Sequence, residues 1–204
     1  MLQAILDDDA TRAAGWDPAE LAASLLGGGV RFMQVRAKQL SSERFLDLCD
    51  TVIALAQPYH AAVIVNDRAD VALMSCADGV HVGQTDLPVA AARRLLGAEA
   101  IIGYSTHSTD QVALAAMMPL SYIAVGPVFP TGSKETGYRP VGLQLVREAV
   151  SRAGGTPVVA IGGVTLENAP EVMAAGASGV AVIADLLRGG DPAGRAARFL
   201  TVLE

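Results

Sequence analysis

Eight short runs rich in Val and Ile alternate with Ala- and Leu-rich stretches along the whole chain, and this alternation limits the fold more than any other feature. The predicted strands cover residues 2–6, 31–36, 62–67, 79–83, 101–105, 122–127, 158–163 and 179–184. The stretches between them have the helical spacing of apolar residues, and several end in Gly, as helices commonly do. Eight strand–helix units within 204 residues fit a closed parallel barrel of the TIM type.

An open, doubly wound parallel sheet is the alternative arrangement for alternating strands and helices. To bind a nucleotide it would need a glycine-rich turn after the first strand, and the segment LDDDATRAAG is a poor candidate for one. No Pro- or Ser-rich linker and no change of composition divides the chain. The sequence therefore predicts the α/β class and a single (β/α)8 TIM barrel, with residues 1–204 forming one catalytic domain.

Composition narrows the range of partners and locations. Hydrophobic residues make up 51% of the chain and charged residues 18%, which favours a large buried core. No apolar run has the length of a bilayer span, and the acidic start of the chain is unlike a signal peptide, so we expect a cytoplasmic protein without membrane contact. The net charge of −6 without a basic run argues against nucleic acid as a partner. Cys49 and Cys76 are expected to be reduced core residues.

Polar side chains collect at the predicted C-terminal ends of the strands. The residues that do so are Gln34, Arg36 and Lys38 after strand two; Asn66, Asp67 and Arg68 after strand three; Asp86 after strand four; Ser105, Thr106 and His107 after strand five; and Thr131, Gly132, Ser133 and Lys134 after strand six. The opposite strand ends carry nothing comparable. Because TIM barrels place their chemistry at the C-terminal face, we expect the active site there.

The residue types indicate two anion sites. Asp67 and Asp86 offer the hard oxygen ligands that suit Mg²⁺, although either could instead cap the helix that follows it. Arg36, Lys38 and Lys134 could share the charge of a diphosphate. The Gly pair at 162–163 and the helix predicted from residue 165 would expose backbone N–H groups for a second phosphate.

The chain contains, in this order, the motifs QVRAK, VNDRADVAL, DGVHVGQTDLP, GYSTHS, GPVFPTGSK, VVAIGGV and GVAVIADL. Their order and spacing resemble those of the thiamine phosphate synthase family. The resemblance covers nearly the whole chain. It implies an enzyme that joins a hydroxymethylpyrimidine diphosphate to a thiazole phosphate, with small molecules as its partners, and that releases diphosphate with the help of Mg²⁺. It also implies a dissociative mechanism, in which a pyrimidinylmethyl cation forms and the thiazole nitrogen captures it.

The resemblance also implies roles for particular residues. Asp67 and Asp86 would bind Mg²⁺, and Arg36, Lys38, Ser105 and Lys134 would be the catalytic residues. The pyrimidine diphosphate would be held by Gln34, Arg36, Lys38, Asn66 and Lys134, together with Val35 and Ala37 of the same QVRAK motif, while Ser105 would contact its pyrimidine end. The thiazole phosphate would contact Thr131, Gly132, Ser133, Gly163, Ile183 and Ala184.

Departures from the family pattern and rival functions remain to be tested. Ala184 stands where the family commonly has Ser, and Gln3 stands where it often has an aromatic residue. His81 alternates with Val80 and Val82, which indicates a barrel-filling side chain. Three alternative functions remain open: a thiazole tautomerase that uses His107 as a proton shuttle, a non-catalytic thiamine-precursor binding protein, and a sugar-phosphate epimerase. The sequence leaves a homo-oligomer open.

Overall fold

Eight parallel strands close into a barrel, as predicted. The computed structural model describes residues 1–132 and 139–203, and all statements on structure refer to these. The strands are β1 (Leu2–Asp7), β2 (Phe32–Arg36), β3 (Ala62–Asn66), β4 (Gly79–Val82), β5 (Ile101–Thr106), β6 (Tyr122–Val125), β7 (Val158–Ile161) and β8 (Gly179–Val182). Each strand pairs in parallel with the next, and β8 pairs with β1, so the doubly wound alternative is excluded.

Helices follow the strands and surround the barrel. They are α1 (Asp8–Ala13), α2 (Pro18–Gly27), α3 (Ser42–Ala56), α4 (Ala69–Met74), α5 (Val89–Leu96), α6 (Thr109–Ala115), α7 (Gly142–Arg152), α8 (Ala169–Ala174) and α9 (Pro192–Val202), with 3-10 segments at Gln57–Tyr59 and Ala184–Gly190. The Asp17 side chain caps α2, and that of Ser41 caps α3, because each accepts hydrogen bonds from N–H groups of the first turn.

Alternation along the strands separates two apolar layers. One face of each strand packs against the helices, in a large cluster that includes Val35, Val65 and Phe199. The other face points into the barrel, where Ile5, Ile64 and further apolar side chains form a smaller cluster. The barrel interior also contains buried polar residues, namely Gln3, Gln34, His81 and the hydroxyl of Tyr122, so the barrel-filling position predicted for His81 is confirmed.

The two cysteines differ in their surroundings. Cys49 is fully buried, and burial raises its thiol pKa to about 12, which keeps it protonated and unreactive. The core position predicted for Cys76 is wrong, since this residue is exposed in the turn after α4. Among the described residues, no helix has the length and apolar character needed to cross a membrane.

Candidate active site

A cleft of about 970 Å³ opens at the C-terminal ends of the strands. The structure brings most of the predicted site residues to its walls: Arg36, Lys38, Asn66, Asp67, Asp86, Ser105, Thr131, Gly132, Gly163, Ile183 and Ala184. They follow each of the strands from β2 to β8, and after β7 the cleft residues are the Gly pair at 162–163. The strand-end pattern in the sequence therefore corresponds to one shared cavity.

Three residues of the QVRAK motif do not have the position expected of cleft residues. Val35 is fully buried on the outer face of β2, and Ala37 also belongs to the core between barrel and helices, so neither side chain lines the cleft, and substrate binding by these two residues stays a prediction. Gln34 faces inward but lies one layer below Arg36, with its side chain buried. Its Oε1 has no hydrogen-bond partner within the described part of the chain. Ser133 and Lys134 lie outside the described residues.

Arg36 is held by a carboxylate that the sequence analysis did not select. Asp7, at the end of β1, lies opposite Arg36 of β2 in the strand register and forms an ion pair with it. The Asp7 side chain is only 3% exposed. The second carboxylate oxygen of Asp7 accepts a hydrogen bond from Ala10 N at 3.0 Å and so caps α1. The position of Asp7 at a strand end is the signal by which it could have been found. Its buried charge fixes the guanidinium of Arg36 at the wall of the cleft.

Asp67 and Asp86 face the cleft, and neither carboxylate caps a helix. Neither α4 nor α5 has a side-chain cap, so the capping alternative is wrong. Lys38 Nζ lies 2.5 Å from Asp67 Oδ2, and Asp86 Oδ2 accepts a hydrogen bond from Gly83 N at 2.8 Å. Asp67 has a φ of 64°, an uncommon conformation for a residue other than Gly.

Asp67 lies close enough to Asp86 to affect the pKa of Asp86. Burial raises the pKa of Asp86, the hydrogen bond from Gly83 N–H offsets part of this rise, and the Asp67 carboxylate raises the pKa further. Within the described residues, no group of three or more His, Cys, Asp or Glu side chains could hold a metal. A pair of carboxylates does fit Mg²⁺, which retains waters and takes further oxygens from a substrate.

A different arrangement is found after β7. Gly162 and Gly163 have φ values of 92° and 66°, and a Cβ on either would lie 2.5 Å from the backbone of the loop after β6. These glycines therefore allow two loops to meet at the cleft wall. The helix start predicted at Thr165 is wrong, because α8 begins at Ala169. The N–H of Thr165 donates to Asn168 Oδ1 at 2.8 Å, so it cannot serve a phosphate.

An ion-pair network secures the loops after β7 and β8. Asp185 accepts hydrogen bonds from Leu166 N at 2.9 Å and from the Arg195 guanidinium at 2.7 Å, and both charged side chains are buried. Arg195 also donates to Glu167 at 3.0 Å. The pKa of Glu167 is lowered to about 2, because its carboxylate accepts hydrogen bonds from the Glu167 backbone N–H and from the side chains of Thr165 and Arg195. The network joins the two loops on which Gly163 and Ala184 lie.

Two histidines also reach the cleft. His81 Nε2 lies 2.8 Å from Ser105 Oγ. His81 therefore fills the barrel, as predicted, and also lines the cleft. His107 lines the same cleft, and its Nδ1 bonds to Gly126 O. Arg188 contributes a further exposed cation at the rim, which the sequence analysis also missed. Its position past the end of the last strand gave no signal in the sequence.

Comparison with known proteins decides the family. The model of a family described as thiamine monophosphate synthase matches residues 2–186. The chain belongs to this family. A thiamine-phosphate synthase of Albidiferax ferrireducens is 40% identical over 203 residues, which cover 100% of this chain and 92% of that protein. A thiamine-phosphate synthase of Acidothermus cellulolyticus is 43% identical over 192 residues, or 94% of this chain and 90% of the relative.

A solved structure supports the same conclusion. The thiamine phosphate pyrophosphorylase from Pyrococcus furiosus superimposes with a TM-score of 0.89 at 31% identity, covering 99% of this chain and 94% of that one. Membership of the thiamine monophosphate synthase family therefore extends from sequence motifs to the complete barrel. The chain is an enzyme of the transferase class, which excludes the non-catalytic binding protein.

Proposed function

We propose that the chain joins 4-amino-2-methyl-5-hydroxymethylpyrimidine diphosphate to a thiazole phosphate, forming thiamine phosphate and diphosphate in thiamine biosynthesis. The observation that carries the proposal is the division of the cleft. Cations and a carboxylate pair lie at the ends of β2 to β4, and the glycine turn and the start of a 3-10 segment lie opposite, after β7 and β8. One side suits a metal-bound diphosphate, and the other suits a monophosphate.

Asp67 and Asp86 would hold the Mg²⁺, since both carboxylates line the cleft and neither is used by a helix. When bound, the ion would supply charge neutralisation to the leaving diphosphate. The Lys38 ammonium lies beside Asp67 and would be available to a phosphate oxygen if Asp67 held the ion.

Arg36 and Lys38 would hold the pyrimidine diphosphate, with Lys134, Asn66 and Gln34. Arg36 is suited to this role because Asp7 fixes its orientation before the substrate arrives. Gln34 Oε1, buried without a partner among the described residues, would accept a hydrogen bond from the exocyclic amine of the pyrimidine. Ser105 would contact the same ring from β5.

Bond cleavage would precede bond formation. The C–O bond of the pyrimidine diphosphate breaks with its electron pair leaving on the diphosphate, and the pyrimidinylmethyl cation is then attacked by the thiazole nitrogen. No side chain has to remove a proton in this exchange, so Arg36 and Lys38 contribute by stabilising the charge that develops on the leaving group. If the thiazole still carries its carboxylate, loss of CO₂ would follow.

The thiazole phosphate would lie against the opposite wall. Thr131, Gly132 and Ser133 would approach it from the loop after β6, and Gly163 from the turn after β7. Ile183 and Ala184 would contribute backbone N–H groups, because the first N–H groups of a helical segment have no partner within it. Asp185 and Arg195 would support this wall from behind.

The proposal treats residues 1–204 as one catalytic domain that acts on small molecules in the cytoplasm. Its test is the purified chain supplied with both substrates, with and without Mg²⁺, and with the non-aromatic thiazole isomer alone. Thiamine phosphate formed only with both substrates and Mg²⁺ is the expected result. Conversion of the thiazole isomer without the pyrimidine would instead support the tautomerase, for which His107 is in the cleft.

Arg36→Gln tests the role of the cation. Loss of a preorganised electrostatic contact costs on the order of 10² to 10³ in kcat, whereas the KM of the thiazole phosphate should stay within a few-fold. Arg36→Lys should restore activity only in part, because an ammonium lacks the guanidinium fork. Arg147→Gln, an equal charge change on the exposed face of α7, is the control and should leave kcat unchanged.

A further inference from the structure

A line of hydrogen bonds crosses the interior of the barrel and ends at the cleft. Gln3 Nε2 lies 2.8 Å from Tyr122 Oη, Tyr122 Oη lies 2.8 Å from His81 Nδ1, and His81 Nε2 lies 2.8 Å from Ser105 Oγ. Gln3, Tyr122 and His81 are at most 5% exposed. We call these four residues the relay. Gln3 and Tyr122 are shielded from water inside the barrel, whereas His81 and Ser105 line the substrate cavity.

Ring packing holds the relay in place. The rings of His81 and Tyr122 are stacked with their centroids 5.5 Å apart and an interplanar angle of 27°. Phe32 meets Tyr122 edge-on, with a centroid distance of 5.8 Å. These two ring contacts restrict the orientation of the phenol and of the imidazole stacked on it.

Each group in the relay has a limited number of protons to donate. The Gln3 amide donates to Tyr122 Oη, so the phenol accepts there and its single proton has to go elsewhere. Burial raises the pKa of Tyr122, and hydrogen bonds from the side chains of Gln3 and Gln34 offset part of that rise, which fits amides that donate to the phenol oxygen. The remaining contact of the phenol is His81 Nδ1 at 2.8 Å.

We infer that the relay fixes His81 in the tautomer protonated on Nε2, so that Ser105 accepts from His81 and presents its own proton to the cleft. Tyr122 donates to the bare Nδ1, and the imidazole donates through Nε2–H to Ser105 Oγ. In the opposite tautomer, Nε2 would accept the Ser105 proton, and the hydroxyl would offer the cleft only a lone pair. His81, Tyr122 and Gln3 are thus positioning residues for Ser105.

This inference deepens the proposed function and rests on it for the identity of the ligand. A hydroxyl that donates recognises an acceptor, so Ser105 would read a ring nitrogen of the pyrimidine rather than its exocyclic amine. A ring nitrogen that has to accept a hydrogen bond distinguishes an aminopyrimidine from an oxopyrimidine in which that nitrogen carries a proton.

The tautomer is measured directly by ¹⁵N NMR of the imidazole nitrogens in the free protein. The chain has three histidines, and the signals lost in His81→Gln identify those of His81. The expected result is a protonated Nε2 and an unprotonated Nδ1. A protonated Nδ1, alone or together with a protonated Nε2, would overturn the inference. This readout does not depend on activity, so it separates the inference from failure of the proposed function.

Enzyme kinetics test whether the relay acts through Ser105. Tyr122→Phe removes the donor to Nδ1 and should lower kcat/KM for the pyrimidine diphosphate by roughly two- to tenfold, the worth of one hydrogen bond, with the thiazole phosphate KM unchanged. In the Ser105→Ala background the same substitution should have no further effect. Tyr59→Phe, at an exposed phenol outside the relay, is the matched control. Additive effects of Tyr122→Phe and Ser105→Ala would refute the positioning role.

Discussion

Asp7→Asn removes the charge that orients Arg36 while keeping the helix cap. The Asn side-chain oxygen can still accept the hydrogen bond from Ala10 N, so the substitution isolates the ion pair. Removing one partner of a buried pair costs about 3 to 5 kcal/mol, because the other charge stays behind uncompensated. Arg36 is 15% exposed at the cleft wall and can be partly hydrated, so we expect a loss of unfolding free energy near the lower end, about 3 kcal/mol.

The same variant should damage catalysis without abolishing binding. With Asp7 neutral, the Arg36 guanidinium is no longer held in one orientation, and misplacement of a positioning group costs roughly 10²-fold in rate. Urea unfolding and steady-state kinetics measure the two effects. Asp7→Ala should lose about 1 kcal/mol more through the cap, and Asp9→Asn, an equal charge change on an exposed residue, should stay within about 0.5 kcal/mol of the parent protein. An Asp7→Asn variant with unchanged kcat and unchanged stability would refute the reasoning.

Three further substitutions probe other parts of the molecule. If backbone N–H groups carry the proposed contact at Ala184, Ala184→Ser should change the affinity for thiazole phosphate by no more than about 1 kcal/mol. A much larger gain in a titration would contradict this. Asp185→Asn should lower the unfolding free energy by about 3 kcal/mol, because the charge of Arg195 stays buried without its partner. It should raise only the KM of thiazole phosphate, and an unchanged KM would show that the Asp185–Arg195 pair does not support the thiazole phosphate site. Arg93→Ala should cost about 1 to 2 kcal/mol, because its guanidinium donates to four backbone carbonyls, including Pro119 O. Arg93 lies before β5 at the other end of the barrel, so a fall in kcat for this variant would be unexpected.

The sequence was sufficient for the barrel because the fold follows from a repeated local pattern. Each strand was located to within about two residues, since buried parallel strands appear as continuous apolar runs. The placement of Asp67, Asp86 and Ser105 in one cleft followed from the rule that strand ends converge. These predictions needed only the position of a residue along its own strand.

Predictions failed where the outcome depended on a second element. The helix predicted at Thr165 starts at Ala169, and Thr165 and Asn168 bond to each other's backbone N–H in the turn that precedes it. Val35 was predicted to bind substrate with the rest of the QVRAK motif, although side chains alternate along a strand and that of Val35 therefore lies on the outer face of β2. The partnership of Asp7 with Arg36 depends on the register between β1 and β2, which a single sequence does not specify.

The Mg²⁺ dependence of the steady-state rate is the measurement that tests the central claim most directly. The rate of thiamine phosphate formation would be followed against Mg²⁺ concentration for the parent protein, Asp86→Asn and Asp67→Asn, with the folded state of each verified by circular dichroism. Each variant removes one oxygen ligand from the cleft without disturbing core packing, so both should lose most activity and require more Mg²⁺ for what remains. Near-normal turnover at low Mg²⁺ in both variants would contradict the assignment of the metal to these two carboxylates.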